Sequence, residues 1–176
     1  MNPTAEKIKS KFPEAFVSAK EWRGDLAVTV RKESVAEVCR YLHDDPEMNF
    51  DYIVLISSVD YPDDEERFEV VYEFYSIPRK ARIRIKARLP EEDPVVGTIT
   101  GIWKGADFLE REVYDMMGIR FDGHPDLRRI LLPDEYDEGW PLRKDFPLEG
   151  KGWRDTFEFI TEGSQKKQPP PPVQEP

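Results

Sequence analysis

The sequence predicts an α+β fold: a mostly antiparallel sheet with packed helices, then an extended irregular C-terminal arm and a disordered proline-rich tail. Three observations carry this expectation. Between Phe68 and Leu89, apolar residues alternate with charged ones, acidic on the first half and basic on the second. Val35, Val38, Cys39 and Leu42, and later residues between Ile99 and Met117, recur at helical spacing. After Gly118, prolines at 125, 133, 141 and 147 forbid a long helix, and no stretch between them alternates cleanly enough for a strand.

In chain order, Thr4, Lys7, Ile8 and Phe12 suit a short amphipathic helix that Pro13 ends. Phe16 to Lys20 and Asp25 to Arg31 read as a strand pair across a Trp22-Arg23-Gly24 turn, with Leu26, Val28 and Val30 on one face. Ser34 and Glu37 have capping-box spacing and open a helix that Pro46 terminates. Tyr52 to Val59 is apolar on both alternating sets, which places it centrally in the sheet.

Phe68, Val70, Tyr72 and Phe74 then form the buried face of a strand, with Glu69 and Glu73 opposite. Beyond the Pro78 turn, Ile83, Ile85, Ala87 and Leu89 alternate with Arg82, Arg84, Lys86 and Arg88. Pairing the two charged faces favours an antiparallel hairpin with a solvated ion ladder over a phosphate or acidic-partner site. Ile99, Ile102, Trp103, Ala106, Leu109, Val113, Met116 and Met117 mark a helix that stops at Gly118. The expected division is residues 1–118 as domain, 119–164 as arm, and 165–176 as tail with a run of prolines.

Composition narrows the function classes. The 176 residues, 39% hydrophobic, suit one domain plus appendages. A net charge of −10 disfavours nucleic acid and anionic membrane surfaces as partners. The single Cys39 excludes an internal disulfide and a self-contained iron–sulfur cluster, and with only His43 and His124 a zinc site would need carboxylates. No apolar run is long enough to insert directly into a membrane, and the N-terminus lacks a secretory apolar core, so the chain reads as cytoplasmic or membrane-bound through partners.

The densest chemistry lies between Glu110 and Pro147. Glu110, Glu112 and Asp115 resemble an acid–base cluster, yet residues two apart on a helix do not face one another, so paired-carboxylate catalysis is not supported. Arg111 and Asp115, four apart, suit a helix-surface ion pair, and Glu110 is expected to meet a basic residue elsewhere. His124, between Gly123 and Pro125, has no serine or cysteine in a nucleophile motif beside it and reads as a structural or interface residue. Gly97, Gly101 and Gly105 lack the phosphate-binding pattern and read as sites of close helix packing.

Leu127, Ile130, Leu131, Leu132, Trp140, Leu142 and Phe146 lie between the Arg128-Arg129 and Arg143-Lys144 pairs. From physics alone, a partner-binding surface and a segment wrapping its own sheet are equal readings.

Glu110-Arg111-Glu112, Asp115-Met116-Met117, His124, Arg128 and Ile130-Leu131, in that spacing, closely resemble the signature of the 30 kDa, or C-type, subunit family of NADH-quinone oxidoreductase, respiratory complex I. The likeness extends back to Trp103 and Ala106-Asp107. Forward, it runs through Leu132-Pro133-Asp134 to Pro141-Leu142-Arg143-Lys144-Asp145-Phe146-Pro147. Lys104 stands where many relatives carry proline.

The resemblance implies a non-redox hydrophilic subunit of the peripheral arm, supporting electron transfer from NADH to quinone coupled to ion translocation. It implies no cofactor in this chain, with FMN, iron–sulfur clusters and quinone elsewhere in the complex. The implied partners are the quinone-site subunit (D type) and the iron–sulfur subunits (B and I type), on the cytoplasmic side of a bacterial or archaeal plasma membrane. It settles the arm in favour of docking, with Glu110, Arg111, Glu112, Asp115, His124, Arg128, Arg129, Arg143, Lys144 and Asp145 as partner-interface residues. Related membrane-bound hydrogenases, formate hydrogenlyase and other quinone-reducing dehydrogenases share this subunit type and form the alternative. A stand-alone metal-dependent hydrolase using His124 with Asp122 or Asp126 is the reading from another class.

Overall fold

The computed structural model describes residues 2–148, 150 and 151, so the expected tail and the end of the arm lie outside the described residues. Helix α1, Pro3–Lys11, is capped by the Asn2 side chain, which accepts from the Thr4 N–H, and has Pro3 at its first turn. Strands β1 (Phe16–Trp22) and β2 (Asp25–Val30) form the expected hairpin. Their two-residue connection, Arg23 and Gly24, has φ of 52° and 89°, the mirror-image turn whose twist matches paired strands.

Helix α2 spans Val35–Asp44 and buries Val35, Val38, Cys39 and Leu42 as its periodicity predicts. The expected capping box is not formed. A 3-10 turn at Lys32–Ser34 runs straight into the helix, leaving Ser34 at φ −104° and ψ 1°, where its hydroxyl makes no cap bond.

Strands β3 (Tyr52–Asp60), β4 (Phe68–Ser76) and β5 (Ala81–Leu89) complete a five-stranded sheet of order β1-β2-β5-β4-β3. All pairs are antiparallel except β2 with β5. The centre is β5, and β3 is an edge strand, contrary to the central place its double-sided apolarity suggests. A bulge between Ile53 and Leu55 explains the misreading. It shifts the alternation by one residue, so Ile53 and Ile56 both face the core while Tyr52 and Val59 stay exposed.

The hairpin of β4 and β5 has the expected register. Phe68, Val70, Tyr72 and Phe74 pair with Leu89, Ala87, Ile85 and Ile83 on the buried face. Removing one such side chain from water is worth roughly 1.5–3 kcal/mol. On the opposite face Glu73 pairs with Arg82 and Arg84 at 3.2 and 2.9 Å, and Glu69 with Lys86 at 2.8 Å. Each cation that faces a strand neighbour is thereby largely neutralised.

Helix α3, Ala106–Met117, starts later than the periodicity from Ile99 suggests. Residues 99–105 form a turn in which the Ile99 carbonyl accepts from Ile102 and Trp103 N–H. Trp103 still reaches the core, stacked on Phe74 at a 4.5 Å centroid distance. The close-packing reading of the glycines does not hold at Gly101, where an added Cβ would meet nothing within 4 Å. Gly118 ends α3 at φ 75°, the left-handed stop anticipated for it.

The chain does not leave the body at Gly118. Strand β7, Arg120–Asp122, pairs in parallel with β6, Val95–Gly97, and buries Phe121 in the core beside Ile119, which precedes the strand. Three residues are too few for a periodic signal, which is why the sequence shows no strand there.

Beyond β7 the arm folds back over α3. The Leu142 N–H donates to the Met116 carbonyl at 3.1 Å, and Arg143 Nε to that of Met117 at 2.8 Å, so the arm satisfies carbonyls that the helix end leaves open. Trp140 packs so closely on Gly118 that a Cβ there would lie 2.5 Å from Trp140 Cε2.

Gly118→Ala therefore combines left-handed backbone strain with a clash against Trp140 and should cost about 2 kcal/mol or more. Limited trypsin digestion should then cut at Arg129 or Arg143 faster than in the parent chain, with the sheet's circular dichroism retained.

Candidate functional site

Helix α3 carries two side chains, one turn apart, that hold the backbone of the arm. Asp115 Oδ2 accepts the consecutive N–H groups of Ile130, Leu131 and Leu132 at 3.0, 2.7 and 2.8 Å, while Oδ1 accepts from Arg129 Nη1 at 2.7 Å. The carboxylate is fully buried. Burial alone would raise its pKa, but the arm N–H groups and the Arg129 guanidinium outweigh it and hold the group below its ordinary value.

Arg111 works from the same side, donating from Nε to the Arg128 carbonyl at 3.3 Å and from Nη2 to that of Arg129 at 3.0 Å. One turn of arm is thus held by an anion on its donors and a cation on its acceptors. The expected Arg111–Asp115 surface pair gives way to this clamp, because the arm's unpaired peptide groups compete for both side chains.

Glu110 points the opposite way, into the core. Its Oε2 accepts from Thr98 Oγ1 at 2.5 Å and its Oε1 from the Ile99 N–H at 2.8 Å. The basic residue that meets it is His124, with Nε2 at 3.9 Å, and no lysine or arginine pairs with it among the described residues. Burial pushes the carboxyl up to about 7, despite those two hydrogen bonds.

The His124 imidazole is also closed to solvent. Its Nδ1 accepts from the Asp126 N–H at 3.0 Å, which leaves Nε2 as the ring's donor, facing the Asp107 carbonyl at 3.3 Å and Asp107 Oδ1 at 3.6 Å. The ring braces the β7 turn against α3 and presents no open nitrogen to a hydrolytic substrate.

At the far end, the arm is fastened to the sheet. Arg67 makes a two-toothed contact with Asp60 at 2.7 and 2.9 Å and reaches Glu91 at 2.6 Å and Asp145 at 3.1 Å. Asp60 Oδ2 also accepts the Lys144 N–H at 2.7 Å. The Arg67 hydrogen bonds lead the lowering of the Asp60 pKa against the opposing effect of burial. Arg67 and Arg143 both lie over Phe68, at 5.1 and 4.7 Å from its centroid.

The structure thus gathers Arg111, Asp115, Arg128 and Arg129 in one clamp, Glu110 and His124 in a second cluster, and Arg143, Lys144 and Asp145 in a third. Glu112 belongs to none of them and faces solvent. Sequence reasoning assigned no site role to Asp60, Arg67, Thr98 or Asp107. Asp145 lies 78 residues from Arg67, and no periodicity reports such a pair. Among the described residues, no group of three or more His, Cys, Asp or Glu side chains is arranged to hold a metal ion.

Residues 28–152 match the family described as "Respiratory-chain NADH dehydrogenase, 30 Kd subunit". The C-type subunit of NADH-quinone oxidoreductase from Roseiflexus sp. (strain RS-1) is 47% identical over 143 residues, covering 81% of this chain and 82% of its own. Its namesake in Geobacter sulfurreducens is 45% identical over 150 residues, covering 85% and 91%. Among solved structures, the trypsin-resistant fragment of Nqo5 aligns with a TM-score of 0.59 at 37% identity, over 70% of this chain and 96% of that one. A chain of the membrane-bound sulfane sulfur reductase, an archaeal respiratory membrane complex, aligns with a TM-score of 0.72 at 24% identity, over 93% and 97%, a likeness of fold alone.

Two outcomes test the electrostatics. Asp115→Ala leaves the arm donors and Arg129 without their acceptor and should cost about 3–5 kcal/mol in urea unfolding. Glu110 binds its proton more tightly folded than unfolded, so its contribution is complete below about 4.5 and is lost as pH rises through about 7. Stability of the parent chain should therefore fall across that window, by at most about 1.4 kcal/mol per pH unit from this group, and Glu110→Gln should remove that slope.

Proposed function

Because the chain belongs to the 30 kDa subunit family of the respiratory-chain NADH dehydrogenase, we propose that it serves that assembly as a hydrophilic scaffold holding no redox centre of its own. It is a subunit of NADH-quinone oxidoreductase, the complex its curated relatives are named for. In this reading FMN, the iron–sulfur clusters and the quinone sit in other subunits, and electron transfer coupled to ion translocation passes this chain by.

The observation that carries the reading is what the motif residues do. Arg111, Asp115 and Arg129 bind the chain's own arm, and Glu110 and His124 are sealed between α3 and β7. Charges of this number in a redox enzyme invite a catalytic role. Here they convert an irregular segment into a rigid surface, and rigid surfaces lower the ordering cost of association.

The arm is then a platform clamped to its own domain, and its outer side is what partners meet. The partners are the quinone-site subunit of D type and the iron–sulfur subunits of B and I type. No described helix is long and apolar enough to cross a membrane, which suits attachment to the cytoplasmic side of the plasma membrane through those partners.

The test is replacement of the chain by Asp115→Ala in cells. NADH:quinone oxidoreduction in their membranes should fall at least about tenfold, with the variant lost from the purified complex. The isolated parent chain should carry neither iron nor flavin in stoichiometric amount. Stoichiometric cofactor in that chain, or full turnover with the variant, would overturn the scaffold reading.

A further inference from the structure

Outside the clamps, α3 and the arm leave an apolar surface uncovered among the described residues. Phe108, Leu131 and Leu142 are 61%, 62% and 60% exposed. Phe108, Glu112 and Met116 recur every four residues on α3, which puts them on one stripe, away from the buried Val113 and Met117. Leu131 flanks that stripe because its N–H is held by Asp115. Leu142 closes its C-terminal end because its N–H is held by the Met116 carbonyl.

Each apolar side chain is mounted on backbone hydrogen-bonded into α3 or the arm clamp, so little ordering entropy remains to be lost on contact. Glu112 stands among them, exposed, with no hydrogen bond or ion pair among the described residues. Covering the apolar anchors would strip water from that carboxylate, and a cation from the incoming partner offsets that cost best. A second copy of this chain with its two-fold axis at this surface would set Glu112 against Glu112, and an anionic lipid surface would repel it too.

Resting on membership of the assembly, we propose that the surface of Phe108, Glu112, Leu131 and Leu142 docks an apolar segment of another subunit of NADH-quinone oxidoreductase, one that sets a lysine or arginine against Glu112. Three apolar anchors beside one charge have the anatomy of an interface hot spot. The sheet's outer face does not compete as a docking site, since its charges are paired along the ladder.

The experiment uses the intact complex. A photo-crosslinking benzophenone amino acid replaces Leu131 or Leu142, and the crosslinked peptide is mapped in the purified assembly. The expected product joins this chain to a co-assembled subunit within a few residues of a lysine or arginine.

Glu112→Lys should cut the chain retained in the complex at least about tenfold, leave the melting of the isolated chain unchanged, and be rescued by a Glu at the mapped basic position. A chain that co-purifies but gives no crosslink, or a crosslink to a second copy, overturns the docking surface while leaving the family assignment standing. Full retention of Glu112→Lys overturns the charge pairing. Failure of the parent chain to co-purify overturns both the assignment and the surface built on it.

Discussion

A carboxylate taken out of water must be given donors, and the cost of leaving it without them runs to several kcal/mol. Asp115 imposes that constraint on everything after β7. Its donors come from the arm and not from α3, and the arm must adopt the turn that aims three successive N–H groups at one oxygen. Arg111 completes the arrangement by taking the carbonyls of the preceding residues. The irregular chain is held by backbone recognition, a mode indifferent to most of its side chains, which leaves those side chains available for other uses.

Helix α3 also shows how position sets protonation. Glu110 and Asp115 lie little more than a turn apart, and their pKa values move in opposite directions. Both are buried. Asp115 collects three amides and a guanidinium, while Glu110 has one amide, one hydroxyl and no such cation in contact among the described residues. The number and charge of the donors decide which effect wins.

Where structure is encoded in a repeating pattern, the sequence is legible. The β4–β5 hairpin, the buried side of α2, the Arg23-Gly24 turn and the stop at Gly118 follow from alternation, helical spacing and backbone preference. The errors occur where one residue breaks the pattern. The bulge at β3 makes an edge strand look central, and the 3-10 turn before α2 takes Ser34 out of capping geometry. The site is legible in its members but not in their targets. Arg111, Asp115 and Arg129 stand out in the sequence, yet what they hold is peptide backbone, which has the same chemistry at every residue and leaves no trace in side-chain identity. The family resemblance favours partner docking over self-wrapping. The structure shows the arm wrapped on its own domain, and partner docking stands as the role proposed for its outer side.

The fastening of Lys144 to Asp60 spans 84 positions, and that separation orders events in time. A ribosome delivers β3, β4 and β5 long before the residues that lock onto them. The sheet and α3 can collapse first, with Asp60, Arg67, Asp115 and the last carbonyls of α3 still bound to water. The arm then closes as a late, nearly complete unit, exchanging those waters for peptide groups. Until Lys144 has left the ribosome its bond to Asp60 cannot form, so the clamped outer side of the arm is a late feature of the fold.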